Sequence, residues 1–265
     1  MSMGKKIKKI VLGITPFLII LLFWYGYHYR RPELSWLIPS PMETGGMFLK
    51  FVGDGTFANL LAISLLNLLP PFLLAMLTAL ALGTLMGISR TADRIFQPFL
   101  AAINFVPSLA WLPLIILFLG FSRSAIWLVI FISCFMKMIF SVRGGIKHVD
   151  INYVLLAKNI GFGKIETIFR VILPCALPHL IVGLRLGFGS AWRSLVGAEM
   201  LVVTLGGLGK FIWMAQWYFD FDKVMAGIVL IGLISILVEQ LVLGRLEKNI
   251  LQKWGFNREY AGGSD

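Results

Sequence analysis

The chain has 265 residues, of which 58% are hydrophobic and only 14% charged, and this excludes a water-soluble globular protein. Twenty-four Lys and Arg against thirteen Asp and Glu give a net charge of +11, which fits either nucleic acid or an anionic membrane surface, so the placement of the charges must decide. Two cysteines, Cys134 and Cys175, and the scattered His28, His148 and His179 offer neither a disulfide framework nor a metal-ligand spacing.

A membrane-crossing helix needs about 20 apolar residues. Ile10 to Tyr27 meets that need behind Lys5, Lys6, Lys8 and Lys9. No small-x-small cleavage site follows, and Phe23-Trp24-Tyr25 reads as an interfacial belt, so a retained anchor is expected rather than a signal peptide. Phe57 to Ile88 is uncharged throughout and too long for one perpendicular crossing. It is predicted to break at Pro70-Pro71, the second part spanning and the first lying at the outer surface or packing as an entry helix. Ile95 to Phe121, interrupted by Pro98, Pro107 and Pro113, reads as a short lead-in and then a span. Ala125 to Phe140 follows, with Lys137 near enough to its end to snorkel. Pro178 to about Val203 is the fifth span and Val224 to Leu243 the sixth.

The expected fold class is therefore an all-α integral membrane protein with six transmembrane helices. Fifteen Lys and Arg fall in one set of flanking segments and six in the other, which places both termini in the cytoplasm. This divides the chain into a cytoplasmic tail, residues 1–9, a transmembrane domain, 10–243, and a second cytoplasmic tail, 244–265. No basic stripe interleaved with aromatics is left over, so membrane lipid and not nucleic acid is the expected surface partner.

One inner stretch, Ser141 to Leu177, is long for a compact protein, and long ordered loops are usually functional. Asn152 to Ile160 and Lys164 to Leu173 have helical periodicity, Asp150 is placed to cap the first, Gly161-Phe162-Gly163 joins them, and Glu166 pairs with Arg170 at i,i+4. The second helix is expected to end at Leu173-Pro174. From these residues alone, a surface-lying connector and a docking element fit equally.

Within the spans, ionisable groups are costly unless paired or facing a cavity. Arg185, Arg193 and Glu199 share the fifth helix, where Gly183, Gly187 and Ser194 form a narrow face for packing within the subunit or for a dimer seam. Arg185 either marks a pathway or snorkels inward, whereas Arg193 lies roughly 22 Å along the helix from Pro178, too deep to snorkel. Arg193 either contacts a passing anion or forms a structural pair. Glu239 reads as a structural partner. Asn104, beside Pro107, is either a polar contact or a partner for backbone freed by that proline, and the second is favoured. The candidate pathway residues are thus Arg193, Glu199, Asn104 and Pro107. Met136, Met138, Trp111 and Trp127 read as lipid or core contacts. Asp220 and Asp222, near Lys223, are either a solvated face or part of a protein-facing outer surface.

Ala157, three residues, Gly161, nine residues and then Val171-Ile172-Leu173-Pro174 resembles the Glu-Ala-Ala loop of binding-protein-dependent ABC importer permeases, whose pattern is EAA, three residues, G, nine residues, I-x-L-P. Leu155 and Leu156 stand where that family has Glu and Ala, and Val171 stands for Ile. Ile38-Pro39-Ser40-Pro41, Val106-Pro107 with Leu112-Pro113-Leu114, Ala198-Glu199-Met200, and Gly207-Leu208-Gly209 through Ile212-Trp213 extend the resemblance to the nitrate, sulfonate and taurine branch. The resemblance implies a type I importer permease with the MetI-like fold in a bacterial inner membrane, its 10–243 region being the permease domain. It implies that Asp150, Ala157, Gly161, Val171, Leu173 and Pro174 belong to a loop that fits a groove of an ATPase subunit. It further implies two copies of the chain, two ATPase subunits and a periplasmic or lipid-anchored binding protein.

The chain has no G-x-x-x-x-G-K-[ST] cradle, so ATP and Mg are expected on the partner ATPase, with no cofactor and no enzymatic activity here. The solute implied is a small anion such as a sulfonate, taurine or nitrate, the alternative being a neutral or cationic molecule such as a vitamin precursor. A membrane-embedded enzyme would need converging acids and histidines, and only Glu199 and Glu239 lie in spans, on different helices. A proton-coupled carrier would show an internal repeat, and none is visible.

Overall fold

The computed structural model describes residues 3–34, 36–202 and 206–253, and every regular element among them is helical. In chain order these are α1 (Met3–Arg30), α2 (Pro41–Gly53), α3 (Thr56–Ile88), α4 (Arg90–Phe105), α5 (Leu112–Leu119), α6 (Arg123–Lys147), α7 (Ile151–Asn159), α8 (Lys164–Thr167), α9 (Leu173–Leu201), α10 (Leu208–Trp217), α11 (Phe221–Leu237) and α12 (Gly244–Lys253). The expected first span falls in α1, whose side chains before Thr15 lie outside the described residues, as do Val203 and the chain from 254 on. Among the described residues four helices are long and apolar enough to cross a membrane, and α4 with Ser108–Leu119, bent by 90°, brings the number to five if the bent pair is taken as one broken span.

The chain forms two compact units. In the first, Met1–Leu60 with Phe211–Gly232, the Ile38-Pro39-Ser40-Pro41 motif starts α2. Ser40 Oγ accepts from Glu43 N at 3.1 Å and Glu43 Oε2 accepts from Ser40 N at 2.7 Å, a reciprocal capping box with Pro41 in the first turn. That backbone N–H also holds the Glu43 carboxyl below its usual range. Trp24 Nε1 donates to the Pro39 carbonyl at 2.9 Å and His28 Nδ1 lies 2.8 Å from the Ile38 carbonyl, so α1 is pinned to the same turn. Phe51, Phe57 and Ala226 form the buried core, with Phe211 edge-on to Phe51 at 5.4 Å.

In the second unit, Leu61–Lys210 with Leu233–Asp265, α6 and α9 form the central pair. A Cβ on Gly183 would meet Ser141 Cβ at 2.6 Å, and one on Gly187 would meet Met138 Cε at 2.6 Å. The narrow face of α9 is therefore filled by α6 of the same chain, and small residues there let the two backbones approach closely. Asp93, in the first turn of α4, accepts from Arg143 Nη2 at 2.9 Å and pairs with Lys147, tying α4 to the end of α6.

Two expectations fail on prolines. The break predicted at Pro70-Pro71 is absent, because α3 runs unbroken for 33 residues. The two rings free the carbonyls of Leu66 and Asn67, yet Leu68 and Ala75 on either side are fully buried, and packed membrane helices tolerate proline where neighbours re-satisfy the freed groups. The start of α3 is accordingly no separate surface helix, since Phe57 is buried in the first unit's core. Likewise, the helix predicted to stop at Leu173-Pro174 continues. α8, a π turn at Ile168–Ile172 and α9 make one helix, Lys164–Leu201, of 38 residues. The wider turn sits directly before Pro174, where a regular backbone bond would be lost anyway.

Candidate functional site

The segment between α6 and α9 is built by local signals. Asp150 Oδ1 accepts from Asn152 N at 2.9 Å and caps α7. The other end of α7 closes with two crossed bonds, Gly161 N to the Lys158 carbonyl and Phe162 N to the Ala157 carbonyl, each 3.0 Å. This Schellman arrangement needs a left-handed residue after the cap, and Gly161 has φ +89°. Glu166 and Arg170 pair at 3.0 Å and Arg170 lies over the Phe162 ring. Val142, Ile146, Ile172 and Ala176 form a buried cluster on which Val154, Ile168 and Leu173 pack. Ala157 is buried and Val171 and Pro174 are half-buried. Facing away, Leu155, Leu156, Ile160, Ile165 and Phe169 are exposed, an apolar surface of the kind that marks an interaction site.

The broken span builds a second feature. Val106 is extended (φ −83°, ψ 126°), the conformation favoured before a proline, and α4 ends there. Under the break lies a cavity of about 220 Å³ lined by Asn104, Pro107, Ser108, Ser133, Lys137 and Ser190. Lys137 Nζ donates to Asn104 Oδ1 at 3.3 Å. The helix end drawn at Phe140 is corrected, because α6 continues to Lys147, and Asn104 makes a polar contact through its side-chain oxygen, whereas a carbonyl freed by Pro107 would need its amide N–H. Hydroxyls on the same wall form a chain: Ser108 to Ser194 at 2.9 Å, Ser194 to Ser133 at 2.8 Å and Ser133 to Ser190 at 2.6 Å.

The remaining candidates do not join this cavity. Arg193 lines a cleft of about 410 Å³ with Phe188, Trp192, Glu239 and Gln240. Arg185 is fixed in a junction, donating from Nε to Glu239 Oε1 at 3.1 Å and from Nη1 to Glu247 Oε2 at 2.5 Å. Glu199 is fully buried. Its carboxylate accepts from Ser64 Oγ at 2.9 Å, Asn67 Nδ2 at 3.0 Å and Gly209 N at 3.1 Å, while Leu208 N donates to Ser64 Oγ at 2.9 Å. An anion and a hydroxyl thus cap the start of α10 from two other helices. Asp220 pairs with Lys223 at 2.7 Å. Sequence reasoning passed over Ser64 and Asn67 and read Lys137 only as a snorkelling cation. For Lys137 a signal was present, namely a lone cation in the middle of an apolar run. For the other two there was none, because their partners lie more than 130 positions away.

Residues 79–252 match the family described as binding-protein-dependent transport system inner membrane component. The chain is 30% identical to the taurine transport system permease protein TauC of Escherichia coli, over 88% of this chain and 86% of that one. It is 33% identical to the putative aliphatic sulfonates transport permease protein SsuC of Bacillus subtilis, over 89% and 84% of the two chains. Against the nitrate import permease protein NrtB of Leptolyngbya laminosa the figures are 28%, 90% and 87%. Among solved structures, a chain of the inward-facing MetNI methionine ABC transporter is similar with a TM-score of 0.60 and 15% identity, covering 71% of this chain and 93% of that one, which is a likeness of fold.

Proposed function

The chain belongs to the inner-membrane components of binding-protein-dependent transport systems, and from that membership we propose that it forms the translocation pathway for a small anionic solute carrying a sulfonate, carboxylate or oxoanion head. As a permease of an ABC importer it is a multi-pass transport subunit and not an enzyme, and the family implies an ATPase and a substrate-binding protein as partners. The observation that carries the anion is that TauC, SsuC and NrtB, to which the chain is similar over most of its length, are named for taurine, aliphatic sulfonates and nitrate. Those solutes share a compact oxoanion head.

In this reading two copies pair, each with six spans and both termini cytoplasmic. Residues 152–174 dock the ATPase through the exposed apolar face of α7 and α8, and residues 10–243 make up the permease domain. ATP with Mg acts on the ATPase subunits. The α8 part of that face lies on the same continuous helix as the span that follows it, so a displacement there is carried into the membrane as a two-state shift of packed helices. The test is uptake into proteoliposomes holding the assembled transporter and its binding protein. ATP-dependent accumulation of taurine, an alkanesulfonate or nitrate is expected. Preferential accumulation of a neutral or cationic solute, such as a vitamin precursor, would overturn the anion.

A further inference from the structure

We infer that the cavity under the α4 break is a transient oxoanion site, in which Lys137 supplies the charge and Ser108, Ser133 and Ser190 supply hydrogen bonds. The inference rests on the anion reading above and names the groups that would meet the solute.

Depth is the first ground. Lys137 is the one charged residue of α6 between Arg123 and Arg143, about 21 Å from the first and about 9 Å from the second. A cation so placed must face protein or a polar cavity, and Lys137 lines one. The second ground is sign. The cavity is lined by one cation and no carboxylate, so its field favours an anion.

Unused bonding capacity is the third ground. An ammonium has three N–H donors, and among the described residues Lys137 gives one, a long 3.3 Å bond to a neutral amide oxygen. No ion pair to Lys137 occurs among the described residues. The cavity also offers hydroxyls, which rotate to donate to an anion or return to each other, and their mutual spacing of 2.6 to 2.9 Å shows that they share hydrogen bonds. Space is the fourth. A single water needs roughly 10–15 Å³ of such volume, so about 220 Å³ admits an oxoanion head with part of its hydration. One point charge with neutral hydroxyls binds without the bidentate grip of an arginine. A group on a conduction path must also release what it binds.

The test uses the complete transporter with its binding protein and ATPase in proteoliposomes, with taurine, an alkanesulfonate and nitrate as probes. Lys137→Met should lower the maximal uptake rate of the transported anion about ten- to hundredfold, the value of a charge-assisted bond, while assembly is kept. Lys137→Arg should keep most of the rate and change the ratio of nitrate to taurine uptake. In a background with Cys134→Ala and Cys175→Ala, the Lys137→Cys protein should regain uptake on modification with an aminoethyl methanethiosulfonate but not with a methyl one. If the wild type carries an anion and Lys137→Met matches it within twofold, the site is refuted and the anionic solute stands. If the wild type prefers neutral solutes, both fall. If no variant assembles, or if both reagents restore uptake equally, Lys137 is a structural group and the site is refuted.

Discussion

Removing the Glu199 carboxylate should loosen the start of α10 before it affects anything else. Glu199→Ala leaves three donors, Ser64 Oγ, Asn67 Nδ2 and Gly209 N, without the acceptor they share. A buried donor left unsatisfied costs about 1–3 kcal/mol, and the anion's interaction with the helix start is worth up to about 2 kcal/mol more in buried geometry. Ser64 still accepts from Leu208 N, so part of the cap survives and the donors can re-pair in part. The expected loss is about 3–5 kcal/mol, which for a chain of this size is roughly 6–20 °C in melting temperature. Glu199→Gln keeps the volume and one accepting oxygen but turns an NH2 group toward other donors, so about half that loss is expected. Thermal unfolding of the purified protein gives the total, and amide exchange at Leu208 and Gly209 gives the location. If both variants melt within about 2 °C of the wild type, or if exchange at those amides is unchanged, the carboxylate does not hold the helix and the reasoning fails.

Gly161→Val should uncouple ATP hydrolysis from uptake or release the ATPase while leaving the chain in the membrane. No atom lies within 4 Å of a Cβ at Gly161, so the penalty comes from φ +89° alone and amounts to about 1–3 kcal/mol. Gly161→Asn should be tolerated, since Asn is the next best residue at that cap position, and normal uptake with full ATPase stoichiometry in the Val variant would count against docking here. For topology, Met42→Cys and Ile165→Cys in a background without the native cysteines should be labelled from outside and inside respectively. Both native residues are well exposed. Labelling of both from one side would refute the six-span arrangement.

Much of the fold was legible because local chemistry dictated it. The Asp150 cap and the Gly161 turn each rest on the preferences of one or two residues, and the structure has both. Both errors about proline arose where packing overrode local preference. At Pro70-Pro71 the helix continues through both rings between buried neighbours, and at Pro174 a widened turn absorbs the lost bond. The polar sites were harder to read for a different reason. Glu199 was visible as a costly buried charge, but its donors come from α3 and from the start of α10, and no sequence spacing announces a pairing across that distance. Lys137 was misplaced because the end of α6 was drawn seven residues early, at Phe140, and a cation thought to be near a boundary needs no partner.

The helix Lys164–Leu201 has a consequence for what its length can become. A continuous helix has no loose torsion in which to lose a rotation, so the azimuth of the Glu166 and Arg170 face is geared to the azimuth of Glu199 at the far end. Inserting one residue between them would turn one end against the other by about 100°, swinging Glu199 away from Ser64 and Asn67 if the docking face were held. Inserting four would restore the alignment to within about 40°. The π turn at Ile168–Ile172 already contains one such extra residue within a single turn, and so sets the phase between the two ends. Length changes along this helix are therefore confined to whole turns, or to a change in the π turn itself.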